Sequence, residues 1–267
     1  DLRISDHKPI YQASTSKIPL LPIYIVEPEY WKQPFASRRH WHFIHDCLIE
    51  LRQDLKQLGQ GLIVRKGSVV DIFKEFSEHH YIKNIYAHEE TGNQWTYNRD
   101  IKVQKWCKKN NIILNEFPTN GVVRGLKNRS EWSKIRKTRI HDALIKTPQR
   151  LTALIGVEEG TIPEKNDPIF KNNFNGKVQK GGRIEALMIL ESFLNDRGKG
   201  YLFNISAPGK SEITSSRISA HLTWGTVSSK EVQNVINIKK ENLLDNERKL
   251  WQKNLTALSS RLSWRCH

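Results

Sequence analysis

Between residues 23 and 114 short β-branched runs alternate with amphipathic helical stretches, and after residue 181 the alternation stops. Ile23-Tyr24-Ile25-Val26, bounded by Pro22 and Pro28, reads as a buried strand. Ser37 is placed to cap a helix over 38–58, in which Trp41, Ile44, Leu48, Leu51, Leu55 and Leu58 recur at helical spacing. Gly59-Gln60-Gly61 makes the turn to a second strand, Leu62–Val64, which ends by Gly67. Ser68 opens a helix through 79, Ile82–Ala87 is a third strand, 94–110 a third helix and Ile112–Leu114 a fourth strand. Strands and helices in this order imply parallel pairing with right-handed crossovers, an α/β domain over 1–117. No G-x-G-x-x-G follows a strand, which argues against a nicotinamide site.

Residues 118–180 read as a basic connector. Gly121–Arg129 and Glu131–Arg139 are dense in Lys and Arg around Trp132, and 147–180 holds Pro148, Pro163 and Pro168 in an irregular stretch. The basic part has two readings: cations and an aromatic tracking a phosphodiester backbone, or a helix with a solvated charged face over buried Trp132 and Ile135. Residues 181–267 are helical throughout. Ile184, Leu187, Met188, Phe193 and Leu194 make the apolar side of one helix, Ser228 or Ser229 caps another, and Leu250, Trp251, Leu255, Leu258, Leu262 and Trp264 stripe a third over 245–265.

The net charge of +15 and pI of about 9.7 favour a polyanion, nucleic acid first, over diffuse surface charge. No run approaches the roughly 18 apolar residues of a membrane span, and no secretory leader is expected. Cys47, Cys107 and Cys266 are scattered and odd in number, against a disulfide frame or a zinc site. His7, His40, His42 and His45 lack companions at ligand spacing, so no metal is expected. A cytoplasmic monomer without membrane contact is the expectation.

The stretch YLFNISAPGKSEITSSRISAHLTWG, 201–225, reads as a Ser-, Thr-, Gly- and Pro-rich loop running into a helix. Ser215, Ser216, Arg217 and Ser219 gather hydroxyls and a guanidinium at a helix start, where N–H groups lack intrahelical partners. On local chemistry alone this is either a phosphate site or a serine N-cap beside an incidental arginine.

Tyr201, Pro208, SSRISAHLTWG and the following VSSKEV resemble the flavin-binding segment of the photolyase and cryptochrome family. LSSRLSWRCH, 258–267, resembles that family's L-W-R-(D/E)-F helix, and DLRISDHKPI, 1–10, its D-L-R-x-x-D-(H/N)-x-(P/A)-L signature. The resemblance implies a Rossmann-like parallel α/β antenna domain followed by an all-helical FAD-binding domain, here incomplete at its C-terminus. The chain opens on Asp1 and stops inside a helical pattern, so a fragment of a longer protein is expected.

By the same resemblance, Tyr201, Ser215, Ser216, Arg217, Ile218 and Ser219 would bind FAD. Trp264 would line the lesion pocket as the catalytic-site aromatic, with Arg261 and Arg265 beside it on DNA. A second antenna chromophore, a folate or a deazaflavin, would sit near 87–100, where Glu89 and Glu90 could meet a pterin-like ring or be solvated loop charges. The implied activity is that of a deoxyribodipyrimidine photo-lyase, blue-light-driven repair of pyrimidine dimers in damaged DNA. The alternatives are a cryptochrome-like photoreceptor with FAD and no repair, and a light-independent nucleic-acid-binding module. Two positions depart from the family pattern. Ile205 stands where an Arg commonly meets DNA, and Arg261 where an acid commonly bonds the lesion.

Overall fold

The computed structural model describes residues 1–171, 174 and 176–266. The chain divides into two compact units, His7–Phe117 with Ile145–Gly182, and Asp1–Asp6 with Pro118–Leu144 and Arg183–His267.

The first unit is α/β. Helix α1 (Lys8–Ser14) precedes strand β1 (Ile23–Val26) and a short helix α2 (Pro28–Trp31). Then come α3 (Arg38–Gln57), β2 (Ile63–Lys66), α4 (Val69–His79), β3 (Asn84–His88), α5 (Gln94–Lys109) and β4 (Ile113–Phe117). The helix starts are set by local chemistry. The Ser37 hydroxyl accepts from Arg39 N at 3.1 Å, Ser68 from Asp71 N at 3.3 Å, and Asn93 forms a capping box with Thr96.

All strand pairing is parallel, as expected, but the strands bond as two separate pairs. β1 pairs with β2, Ile23 opposite Ile63, and β3 with β4, Asn84 opposite Ile113. Among the described residues no ladder joins the pairs.

The irregular segment 145–182 is part of this unit. It buries Leu151, Ile162 and Phe170, and the Phe170 ring stacks on Trp41 at 4.1 Å. Trp31 meets Phe170 edge-on at 4.7 Å, so residues without regular structure complete an aromatic core. Gly160, at φ 73°, lies so close to β2 that a Cβ there would stand 2.2 Å from the Val64 carbonyl oxygen.

The second unit is helical: α6 (Trp132–His141), α7 (Arg183–Asn195), α8 (Tyr201–Asn204), α9 (Pro208–Thr214), α10 (Ser219–Trp224), α11 (Ser229–Glu241) and α12 (Asp245–Arg265). Its core is Ala186, Leu190 and Phe193 of α7, Tyr201, Ile218 and Leu222, Val232 and Ile236 of α11, and Trp251, Leu255, Leu258 and Leu262 of α12. The expected apolar side of α7 is corrected. Ile184, Leu187 and Met188 are exposed, and the core face runs through Ala186, Leu190 and Phe193. An all-round apolar sequence, with no charged residue between Glu185 and Glu191, hid the direction of burial. Leu250 and Trp264 likewise leave the α12 stripe for the surface. The Ser228 hydroxyl caps α11, accepting from Glu231 N at 3.0 Å.

Asp1–Asp6 is tied into these helices. Arg3, buried, donates to the Gly225 carbonyl at 2.9 Å and the Asp6 carbonyl at 3.0 Å. Burial pulls its pKa down to about 10. Ser228 Oγ donates to Asp6 Oδ2 at 2.5 Å, and Lys230 pairs with Asp6 Oδ1 at 3.1 Å. Gly225 ends α10 at φ 68°, a left-handed position that glycine takes without strain. Among the described residues no helix is long and apolar enough to cross a membrane.

Candidate functional site

Residues 201–225, expected as a loop running into a helix, fold into the short helices α8, α9 and α10. Pro208 at the first turn of α9 removes an N–H that would have no intrahelical partner. Tyr201 is buried, its ring edge-on to Phe193 at 5.4 Å, and burial raises its phenol pKa.

Two side chains that sequence reasoning missed fix this segment. Asn254 of α12, wholly buried, accepts from Leu202 N at 2.7 Å and donates to the Lys199 carbonyl at 2.9 Å. It therefore brackets Tyr201 from both sides. Its signal was a polar residue inside the Trp251, Leu255, Leu258 stripe, where a buried amide must find partners. Arg197 donates to the carbonyls of Ile189 (2.8 Å), Ile213 (3.1 Å) and Ser215 (2.5 Å) and to Ser192 Oγ (2.7 Å). It clamps the end of α9 to α7. Nothing in the sequence distinguished it from other arginines.

Ser215 and Ser216 are half-buried on the extended approach to α10, Arg217 is exposed, and Ser219 is the first residue of α10. Arg217 holds φ 57°, an uncommon left-handed conformation for a residue with a side chain. Helix α10 begins without a side-chain cap bond. Ile218 is only 2% exposed and belongs to the core, so its backbone alone could face a ligand. Burial, with the Arg217 charge nearby, lowers the Arg197 pKa.

At the end of α12 Trp264 is 65% exposed, and the Arg261 guanidinium lies 4.2 Å from its ring centroid. Arg265 donates to the Leu222 carbonyl at 2.9 Å, tying α12 to α10. His267, the last residue of the family-like block, lies outside the described residues. Ile205 packs against the helical core. The structure therefore joins Tyr201 to α12 through Asn254 and α10 to α12 through Arg265.

In the α/β unit, Glu89 and Glu90 follow β3. Glu90 accepts from Gly92 N at 2.6 Å and pairs with Arg99 at 3.2 Å, so both its oxygens are engaged. Arg99 also meets Glu27, at 3.3 Å, and Glu27 caps α4 at Val69 N, at 3.3 Å. Burial raises the Glu27 carboxyl pKa, and Arg99 opposes the rise. The histidines do not converge. His7 Nδ1 caps α1, His45 lies 3.7 Å from Asp46, and His42 meets Phe174 edge-on. Among the described residues no group of three or more His, Cys, Asp or Glu is placed to hold a metal ion. The cysteines are buried free thiols, Cys47 pushed up to about 12 by burial.

The family model for DNA photolyase matches residues 1–130. A cryptochrome DASH of Gloeobacter violaceus is 23% identical over 273 residues, covering 94% of this chain and 54% of that protein. The crystal structure of a Synechocystis cryptochrome superposes with a TM-score of 0.79 at 19% identity, covering 99% of this chain and 58% of the other. An archaeal photolyase from Sulfolobus tokodaii, solved with two FAD molecules, gives 0.61 at 21% identity, covering 95% and 56%.

The chain matches the DNA photolyase model over just under half of its length and is similar to cryptochromes and photolyases over nearly all of it. It spans little more than half the length of these relatives. The photolyase family model matches through residue 130, whereas the structural likeness extends across the helices that hold Tyr201 and Trp264.

Proposed function

We propose that this chain is part of a flavin-dependent, blue-light-driven enzyme that repairs pyrimidine dimers in DNA. The observation that carries the reading is Trp264. A large exposed aromatic with the Arg261 guanidinium over its ring suits an unstacked base and its phosphates. It also sits on the helix that fixes the Tyr201 turn. FAD, when bound, would supply light absorption and one-electron transfer.

The residues present fit such a group. The Ser215, Ser216 and Ser219 hydroxyls, the uncapped start of α10 and the Arg217 guanidinium would supply donors suited to a pyrophosphate. Arg197 would hold the approach to that set, Asn254 the turn at Tyr201, and Ile218 and Tyr201 would close the apolar side against water. In the α/β unit, a folate or deazaflavin antenna would lie near 87–100, beside the Arg99–Glu27–Glu90 network.

A cryptochrome-like photoreceptor is the second reading. Two observations favour it: Ile205 packs inward, offering no cation, and Arg261 lies over the Trp264 ring where an acid would bond a lesion. One experiment separates the two. The reduced full-length protein is incubated with ultraviolet-damaged DNA in light and in dark. Light-dependent loss of dimers is the expected outcome. Flavin photoreduction with dimers intact would overturn repair in favour of sensing.

A further inference from the structure

The basic segment before residue 145 meets the end of α12, where Gly121 N–H donates to Cys266 Sγ at 3.3 Å, but none of its cations has been assigned to the site. Its helix α6 is held by contacts that sort its charges. Ile140 is buried, Trp132 Nε1 donates to the Gly121 carbonyl at 2.9 Å, and Arg139 donates to the Val122 carbonyl at 2.6 Å. The Arg136 stem crosses Gly121 so closely that a Cβ there would stand 2.5 Å from its Cγ. The two arginines therefore fasten the helix to the preceding loop.

The other face carries Lys134, Lys137, Thr138 and His141, all exposed, at i, i+3, i+4 and i+7. These positions form one stripe about 10 Å long. Exposed Lys127 and Arg129 precede it.

An ordinary solvated helix face interleaves opposite charges, and this protein does so elsewhere. Lys32–Glu29, Lys74–Asp71, Lys199–Asp196 and Arg248–Asp245 are all pairs three residues apart. Helix α6 has no Asp or Glu within it, and Lys134 and Lys137 make no ion pair among the described residues. The flanking acids are placed elsewhere. Asp142 accepts from Ala143 N at 2.9 Å, and Glu131 sits at the helix's N-terminal end, where its charge suits the dipole. Like charges on adjacent turns repel, and a row of phosphates would relieve that cost. The apolar side of α6 faces the protein, so the stripe offers no residue to insert into lipid.

We propose that the exposed face of α6 is a DNA-backbone docking surface, acting without flavin, light or a lesion. Lys134 and Lys137 each meet a phosphate, and Thr138 and His141 add hydrogen-bonding groups beside them. The surface reads no sequence and raises the residence of the protein on undamaged duplex.

The test is dark binding of a short undamaged duplex by the full-length protein across a salt series. It compares wild type with the Lys134→Gln/Lys137→Gln and Lys134→Glu/Lys137→Glu variants. Losing two phosphate contacts lowers the slope of log affinity against log salt by about 1.8, at about 0.9 per contact. At 0.1 M salt the affinity falls of the order of tenfold to a hundredfold. The ratio of damaged to undamaged affinity stays unchanged, as does flavin content. Unchanged slope and affinity in both variants would overturn the proposal, as would a wild type that binds anionic phosphatidylserine vesicles but not duplex. Failure of the flavin reading leaves this test intact, because it needs neither cofactor nor light.

Discussion

Replacing Asn254 with leucine tests whether α12 positions the Tyr201 turn. The asparagine is wholly buried and bonds Leu202 N–H and Lys199 C=O. Leucine leaves both backbone groups without a partner, at about 1–3 kcal/mol each. Its extra apolar contact returns about 1 kcal/mol, so the net loss is about 1–5 kcal/mol. Urea denaturation followed by circular dichroism reads it. Flavin titration of the folded variant reads positioning separately, and a weaker affinity is expected there. Asn254→Asp keeps the acceptor for Leu202 N–H but loses the donor and buries a charge, so it is destabilised as well. A leucine variant within about 0.5 kcal/mol of wild type would refute the hydrogen-bond reasoning, since that is the scatter of neutral surface changes. Lost stability with unaltered flavin affinity would refute the positioning role.

Arg197→Lys cannot span four acceptors with one ammonium, so hydrogen exchange at Ser215, Ser216 and Arg217 amides should quicken while that of α11 stays slow. His221 is fully buried, with its pKa lowered by burial to about 4. The unfolded chain binds that proton more readily, so the contribution is complete above about pH 6.5 and is lost as pH falls toward 4, by up to about 3 kcal/mol. Denaturation midpoints at pH 7 and pH 5 should show that slope, and His221→Gln should flatten it. Trp264→Ala should weaken binding of damaged DNA by about 1–3 kcal/mol with the fold intact; unchanged affinity in equilibrium titration would remove Trp264 from the lesion pocket.

The sequence was most legible where one residue acts on its own chain neighbours. Ser37, Ser68 and Ser228 start helices where their spacing placed them, because a cap needs only the next turn. It was less legible where burial depends on distant elements. The apolar run of α7 carries no polar face to orient it, so Ile184, Leu187 and Met188 read as core and are exposed. Phe170 read as part of a surface linker, yet it fills the aromatic core with Trp41, a partner more than a hundred residues away. Ser215–Ser219 was visible as a hydroxyl-rich motif. Asn254 showed only as a polar residue in an apolar stripe, and Arg197 not at all, because the backbone groups they bond carry no residue signature.

The central claim is that the helical unit holds FAD through Tyr201 and Ser215–Ser219. Its most direct test is the visible absorption of the protein expressed from its full reading frame, before and after reconstitution with FAD, beside the Ser215→Ala/Ser216→Ala variant. The account predicts flavin bands in the wild type and a clearly lower flavin affinity in the variant, with unchanged far-ultraviolet circular dichroism. A folded wild type that stays colourless and takes up no FAD would contradict it.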